Sequence, residues 1–276
     1  WLQSVKQQTK MLVAIEVANA KHVEEALKAN IDIFWIGART SANPFAVQEI
    51  ADALKGINIP VMVKNPTNPD VSLWHGNIER IEKSITNSVC AIHRGVPCFT
   101  SSIYRNNPEW RIVIELRKQR PDLFYIADPS HIAGNKELIF PISQTALDLK
   151  FDGLMIETHI EPEKALSDSK QQITPQFLKQ ILSKLILKEE IPKGIELQTI
   201  EDLRRTINYI DSELIDLICY RMEIVNEIAL FKKNNKMTIF QEGRWNELLS
   251  KHIDRAKEKN INPEIIIKVF NYIHQE

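Results

Sequence analysis

The sequence predicts an α/β fold: a parallel sheet of the (β/α)8 barrel type, followed by an all-α helical domain. Three observations predict it. Short apolar runs recur six times before residue 160, with stretches of helical period between them. Those runs are β-branched or aromatic and apolar on both faces, as strands buried between helical layers are. Beyond about residue 185 the strand signals stop, and one unbroken helical period takes over.

The strands are read in order. They are "MLVAIEV" (11–17), "IDIFWIG" (31–37), "IPVMVKN" (59–65), "SVCAIHRG" (88–95), "LFYIADPSH" (123–131) and "GLMIETH" (153–159). "NPFAVQEIADALKG" (43–56) carries apolar residues at helical spacing and has Gly56 as its stop. "ELIFPISQTALDLK" (137–150) is a second predicted helix. Alternation of this kind predicts a parallel sheet with crossover helices, and a barrel is its leading form. A closed barrel needs eight strands and six are counted. The expectation is therefore a barrel lacking its first two β/α units in this chain.

Composition bounds the function. The 276 residues are 43% hydrophobic and 26% charged, with a formal net charge of −1. That balance gives no electrostatic case for nucleic acid or an acidic membrane. No apolar run approaches the roughly 20 residues that span a bilayer. The start, "WLQSVKQQTK", lacks a signal-peptide apolar core. Cys90, Cys98 and Cys219 are odd in number and irregularly spaced, so they read as reduced thiols of a cytoplasmic protein. Eight glycines include no phosphate-binding loop.

The strand ends carry the chemistry. Arg39 follows the second strand, Lys64 closes the third, and His93 and Arg94 close the fourth. His131 follows the fifth, Glu157 and His159 the sixth, and Asp168 lies a short loop beyond. In a parallel sheet these residues share one end, which in barrels holds the active site. One such residue alone reads as a solvated loop side chain. The run of them divides by type. Arg39, Lys64 and Arg94 suit a phosphate and a carboxylate. His131, Glu157 and Asp168 offer a nitrogen and two carboxylates to a divalent transition metal. His93 and His159 are assigned structural or supporting roles.

Here the sequence resembles a known family. "WIGARTSANPFAVQEIADAL", "VMVKNPTNPD", "LWHGNIERI", "AIHRG", "YRNNPEWRIVIELR", "DPSHIAGNKELI" and "DGLMIETHIEPEKALSDSKQQIT" are similar to the minimal-barrel subfamily of 3-deoxy-7-phosphoheptulonate (DAHP) synthases, over about residues 1–185. The resemblance implies a (β/α)8 TIM barrel that condenses phosphoenolpyruvate with erythrose 4-phosphate, in the shikimate pathway to aromatic amino acids. It implies that Arg39, Lys64 and Arg94 hold phosphoenolpyruvate, Lys64 being catalytic. It implies that His131, Glu157 and Asp168 bind the metal, Mn2+ or a similar transition ion. The family's fourth ligand, a cysteine in an "AGPCS"-like strand end, and its "KPRT"-like acceptor segment have no counterpart here. They belong to the two units expected to be missing, so this chain is expected to bind metal poorly and not to complete the condensation by itself.

The second half starts after "ILKEEIPKGIELQT" (186–199), which carries Pro192 and Gly194 and reads as a linker. The expected divisions are a barrel over 1–187, a linker over 188–198 and a helical domain over 199–276. From Thr199 to about Asn234 there is no Pro or Gly, and Leu203, Ile207, Ile210, Leu214, Leu217 and Ile224 recur at helical intervals. "TIED" (199–202) reads as a capping box at the helix start. Segments 239–260 and 262–276 are two further helices. Arg221 and Lys232 lie 11 residues apart, so they share one helix face about 16 Å apart. Arg204 lies 17 residues before Arg221, about 25 Å up the helix, within reach only from an antiparallel partner.

"LRRTINYID", "YRMEIVNEIALFKK" and "EGRWNELL" are similar to the all-helical chorismate mutases. That resemblance implies a homodimer through the helical domain that turns chorismate into prephenate. Arg221 and Lys232, with Arg204 from the partner and Arg244 nearby, would hold the substrate. Trp245 stands where that family commonly has an acid. The whole reads as a bifunctional enzyme, with feedback on the barrel through the helical domain. The alternatives are a silent barrel serving as scaffold for a ligand-binding helical dimer, or a related synthase that condenses phosphoenolpyruvate with another sugar phosphate.

Overall fold

The computed structural model describes residues 1–98, 102–188, 197–238 and 242–275. They fall into two units, Trp1–Pro192 and Lys193–Glu276. In the first, α1 (Leu2–Thr9) precedes β1 (Ala14–Glu16), α2 (Ala20–Lys28), β2 (Ile33–Ile36), α3 (Ala38–Ser41), α4 (Pro44–Ala53), β3 (Val61–Lys64), α5 (Val71–Glu82) and β4 (Val89–His93). A hairpin of two-residue strands follows, β5 (Val96–Pro97) antiparallel to β6 (Asn106–Asn107). Then come α6 (Arg111–Gln119), β7 (Phe124–Ala127), α7 (Pro129–Ala133), α8 (Ile139–Asp148), β8 (Gly153–Leu154) and α9 (Pro175–Lys184).

Six strands form one sheet in the order β1-β2-β3-β4-β7-β8, and every pairing is parallel. This is an open half of a barrel, with β1 and β8 at its edges. The apolar runs lie where a two-sided core needs them. Phe34, Ile36, Val61, Val63, Ala91 and Tyr125 from the strands are fully buried, against Ile50, Leu54, Trp74, Ile78 and Leu116 from the helices. Each such large side chain contributes about 1.5–3 kcal/mol of transfer free energy. Asn19, Asn43, Asp70, Asp128 and Thr174 cap α2, α4, α5, α7 and α9 by accepting backbone N–H bonds. Such a cap satisfies one of the donors that a helix start leaves without a partner.

Two sequence expectations are adjusted, and one element is new. The 137–150 helix divides into a 3-10 turn, Lys136–Leu138, and α8. Pro141 thereby sits in the first turn of α8, where no intrahelical donor is needed. The sixth strand is paired only over Gly153–Leu154. After Met155 donates to the Ala127 carbonyl, the chain leaves the sheet, and Glu157 N–H turns to Ser130 Oγ at 2.9 Å. The hairpin β5–β6 is too short to show a period, and the sequence does not announce it. The stop at Gly56 is observed: α4 ends at Ala53 and Gly56 adopts φ +76.

The second unit contains α10 (Leu197–Asn234), α11 (Glu242–Glu258) and α12 (Pro263–Gln275). Helix α10 begins two residues before the expected capping box, so Thr199 lies within the helix. The side chains of Thr199 and Asp202 fall outside the described residues, as do residues 189–196 of the expected linker and 239–241. Helices α11 and α12 meet through two stacked pairs, Trp245 on His274 at 4.0 Å and His252 on Phe270 at 4.1 Å. Helix α10 leaves its apolar stripe in solvent: Leu203, Ile207, Ile210, Leu214 and Leu217 are each at least half exposed. Among the described residues no helix is long and apolar enough to cross a membrane.

Candidate active site

The site is built at the carboxyl ends of the parallel strands. Lys64 is the last residue of β3, and its Nζ donates to Asp128 Oδ2 at 2.6 Å. Both side chains are buried. The ammonium also lies 4.6 Å from the centre of the Trp35 ring. Asp128 follows β7 and caps α7, where its Oδ1 accepts from His131 N–H at 3.2 Å. Its Oδ2 lies 2.9 Å from His131 Nδ1, a close contact whose ring N–H is poorly aligned for a hydrogen bond. Burial raises the Asp128 carboxyl, but the histidine and lysine outweigh it and hold the group down to about 2.

Arg94 follows β4. Its N–H is fixed by Asn65 Oδ1 at 2.8 Å, and its guanidinium donates to Asn106 Oδ1 at 2.9 Å. Burial pushes it below its ordinary value. Asp128 and Asp168 support its charge, while Arg105 and Arg39 oppose it. Arg39, on α3, is exposed but close enough to act on Arg94. The three expected cations therefore belong to one neighbourhood. Lys64 differs from its expected form, because it is neutralised by a buried partner rather than open to a ligand.

On the other side, His131 Nε2 lies 3.6 Å from Glu157 Oε1 and 4.0 Å from Asp168 Oδ2. One donor atom from each of the three residues lies within 4.8 Å of the others. An ion with bonds of about 2.1 Å keeps its ligands no more than about 4.2 Å apart. The group therefore fits a divalent transition metal after a slight contraction, and its mix of imidazole and carboxylate suits one. Asp168 takes up its place from a left-handed backbone, φ +51.

The sequence missed the side chains that hold these three residues. Arg105 donates from one guanidinium nitrogen to Asp168 Oδ1 at 2.7 Å and to Gln171 Oε1 at 2.5 Å. Gln171 is buried and donates to Glu157 Oε2 at 2.8 Å. Asn106, the next residue after Arg105, donates to the His131 carbonyl at 2.6 Å. Two glycines let the hairpin approach. A Cβ at Gly134 would lie 2.4 Å from Arg105 Cβ, and one at Gly95 would lie 2.7 Å from the Asn107 carbonyl oxygen.

His93 packs into the core. It is fully buried beside Trp74, Trp110 and Phe151, and its Nε2 lies 2.5 Å from the Pro108 carbonyl oxygen. Burial pushes it down to about 4, so it is neutral near pH 7. His159 Nδ1 accepts from Glu161 N–H at 3.0 Å, a loop contact. Cys90 and Cys98 are half-buried, Cys219 is exposed, and Cys98 Sγ contacts the Tyr104 carbonyl at 3.7 Å.

In the helical unit Arg221 and Lys232 are half-buried, and Arg204 is exposed and paired with Glu201 at 2.5 Å. The Arg244 side chain lies outside the described residues.

Comparison with known proteins follows the same division. Residues 1–192 match the DAHP synthetase I family, and residues 203–276 match chorismate mutase type II. Phospho-2-dehydro-3-deoxyheptonate aldolase of Thermotoga maritima is 31% identical over 154 residues, covering 56% of this chain and 44% of that protein. A 2-dehydro-3-deoxyphosphooctonate aldolase of Wolinella succinogenes is 40% identical over 58 residues, 21% of this chain and 22% of that one. The crystal structure of the Thermotoga maritima aldolase (DAHP synthase) superposes with a TM-score of 0.58 at 27% identity, covering 66% of this chain and 52% of that chain. A truncated form of 3-deoxy-D-arabino-heptulosonate 7-phosphate synthase from the same organism also gives 0.58, covering 67% of its own chain. The chain thus spans about half the length of the first of these relatives. A family match over 192 of 276 residues, with its motifs on the strand ends just described, establishes that the chain belongs to the DAHP synthetase I family and carries a chorismate mutase type II region behind it.

Proposed function

We propose that the chain serves aromatic amino acid biosynthesis as a bifunctional enzyme. Within a complete barrel, its first unit would condense phosphoenolpyruvate with erythrose 4-phosphate, and its second would rearrange chorismate to prephenate. The observation that carries the first activity is the chain of close contacts that joins Lys64, through Asp128, to His131, Glu157 and Asp168, with Arg94 and Arg39 near enough to feel one another's charge. Arg39 and Arg94 are the anion-binding groups, since a guanidinium can hold phosphate or carboxylate through two parallel bonds. Lys64 would serve as a third cation only by exchanging the Asp128 carboxylate for the substrate, and the three together would orient the enol phosphate before it reacts. A divalent metal held by His131, Glu157 and Asp168 would polarise the aldehyde of the acceptor sugar.

For the second activity, Arg221 and Lys232 share a face of α10 inside its apolar stripe. They would hold the substrate's carboxylates and the ether oxygen where charge develops. Arg204 joins them only from a second chain, so the reading includes a homodimer through the helical unit. The exposed stripe on α10 supports that partner. The three cysteines without disulfides support a reducing cytoplasmic location. Feedback on the condensation by prephenate bound to the second unit completes this reading.

The match to relatives named 2-dehydro-3-deoxyphosphooctonate aldolases favours one other reading, in which the acceptor is a different sugar phosphate. Assays separate them. Protein in which the barrel is complete, given Mn2+ and phosphoenolpyruvate, should release inorganic phosphate with erythrose 4-phosphate, and Arg94→Ala should abolish it. Release with a five-carbon aldose phosphate alone would select the second reading. Release with neither acceptor, in protein that binds the metal, would leave the first unit a silent scaffold. Chorismate should be consumed by the wild type and not by Arg221→Ala.

A further inference from the structure

We infer that Arg105 and Gln171 decide which divalent cation the His131–Glu157–Asp168 group accepts. The inference rests on the metal-site reading above. It comes from how the carboxylate oxygens are divided. Each acid has one oxygen turned toward His131 Nε2 and the other tied away from it. For Glu157, Oε1 faces the imidazole at 3.6 Å and Oε2 accepts from Gln171 at 2.8 Å. For Asp168, Oδ2 faces it at 4.0 Å and Oδ1 accepts from Arg105 at 2.7 Å. Arg105 and Gln171 are themselves joined at 2.5 Å, so one continuous bracket holds both outer oxygens.

The bracket is anchored from behind. Arg105 N–H donates to the Ile132 and Ala133 carbonyls, at the end of the helix that carries His131. Gln171 is 1% exposed, and its N–H donates to the Asp168 carbonyl at 3.0 Å. Neither carboxylate can swing to offer both oxygens without breaking a bond that is partly buried.

Cations differ in what they ask of a carboxylate. Ca2+ takes six to eight oxygens at about 2.3–2.6 Å and often uses both oxygens of one acid. Ions of the Mn2+ to Zn2+ series accept imidazole and single-oxygen carboxylates at shorter distances. A bracket that enforces one oxygen per acid leaves Ca2+ short of ligands and costs a transition ion nothing. Removing the bracket should therefore narrow the gap between the two metals. A simple loss of positive charge at Arg105 would strengthen both metals together and leave their ratio alone.

The test is metal binding by the full chain, without substrates. Mn2+ is followed by its paramagnetic resonance signal, and Ca2+ by competition against it. The wild type should favour Mn2+. Arg105→Met and Gln171→Met should each reduce the Mn2+:Ca2+ affinity ratio by about 10- to 100-fold, the range typical of losing a partner to a metal ligand. Arg105→Lys should restore part of it. An unchanged ratio in folded Arg105→Met, whose side chain is 40% exposed and tolerant of change, overturns the inference even if Gln171→Met fails to fold. Wild-type protein that binds no Mn2+ overturns the inference and the metal-site reading together, whereas an unchanged ratio leaves the site reading intact.

Discussion

The Lys64 ammonium and the Asp128 carboxylate sit 2.6 Å apart, with 4% and 1% of their side chains exposed. Two charges this deep are stable only together. Breaking a buried pair from one side typically costs 3–5 kcal/mol, because the survivor is left without a counter-charge. Asp128→Asn should therefore lower unfolding free energy by about that amount in urea titrations. Lys64→Met combined with Asp128→Asn should cost less than the two single changes added together. Strict additivity would show that the pair is not coupled.

His93 makes stability depend on pH in a defined window. Its ordinary value is 6.5 and burial lowers it to about 4 in the folded chain. Between those values the unfolded chain holds a proton that the folded chain refuses, so acid favours unfolding. Stability should fall as pH drops from about 6.5 to about 4, by roughly 3 kcal/mol, with no further contribution from this residue below that. In His93→Phe the difference between urea midpoints at the two ends of the window should be smaller than in the wild type. Equal differences would show that His93 does not titrate there.

The exposed stripe of α10 predicts self-association. A charge placed in it, as in Ile210→Asp or Leu214→Arg, should shift the protein from two chains to one in sedimentation runs. An exposed polar position such as Asn208 should tolerate the same change. A wild type that sediments as one chain at all concentrations would remove the partner on which the Arg204 argument depends.

The proposed sharing of Arg204 between two chains also predicts complementation. Arg204→Ala and Arg221→Ala should each lose mutase rate by roughly 100- to 1,000-fold, the cost of one donor aimed at developing charge. When the two variants are mixed and allowed to exchange chains, a mixed pair contains one intact site. Activity should return to a fraction of wild type. No recovery, in variants shown to exchange, would put Arg204 outside the site.

The parts of this molecule that were readable in sequence are those with local signatures. Runs such as "VMVK" and "FYIA" are apolar on both faces because both faces are covered, and the ionisable residues that end them mark where the cover stops. Arg39, Lys64, Arg94, His131, Glu157 and Asp168 could be placed at one end from strand direction alone. Arg105 and Gln171 could not. They sit in loops, and their meeting depends on a hairpin with strands of two residues crossing toward α7. Asp128 was visible as a strand end, but nothing in its neighbours shows that a lysine 64 residues earlier would be its partner. The close approaches at Gly95 and Gly134 were the available hint, since a glycine between polar residues at a strand or helix end marks where backbones pass.

Asp168 twists its main chain into a shape that most residues resist, and only glycine, asparagine and aspartate adopt it readily. Asp168 therefore meets two demands at once, a backbone bend that few residue types favour and an anion facing His131. The experimenter can separate them, because Asp168→Asn preserves the contour of the loop while erasing its electrical contribution. At this position form and charge can be varied one at a time.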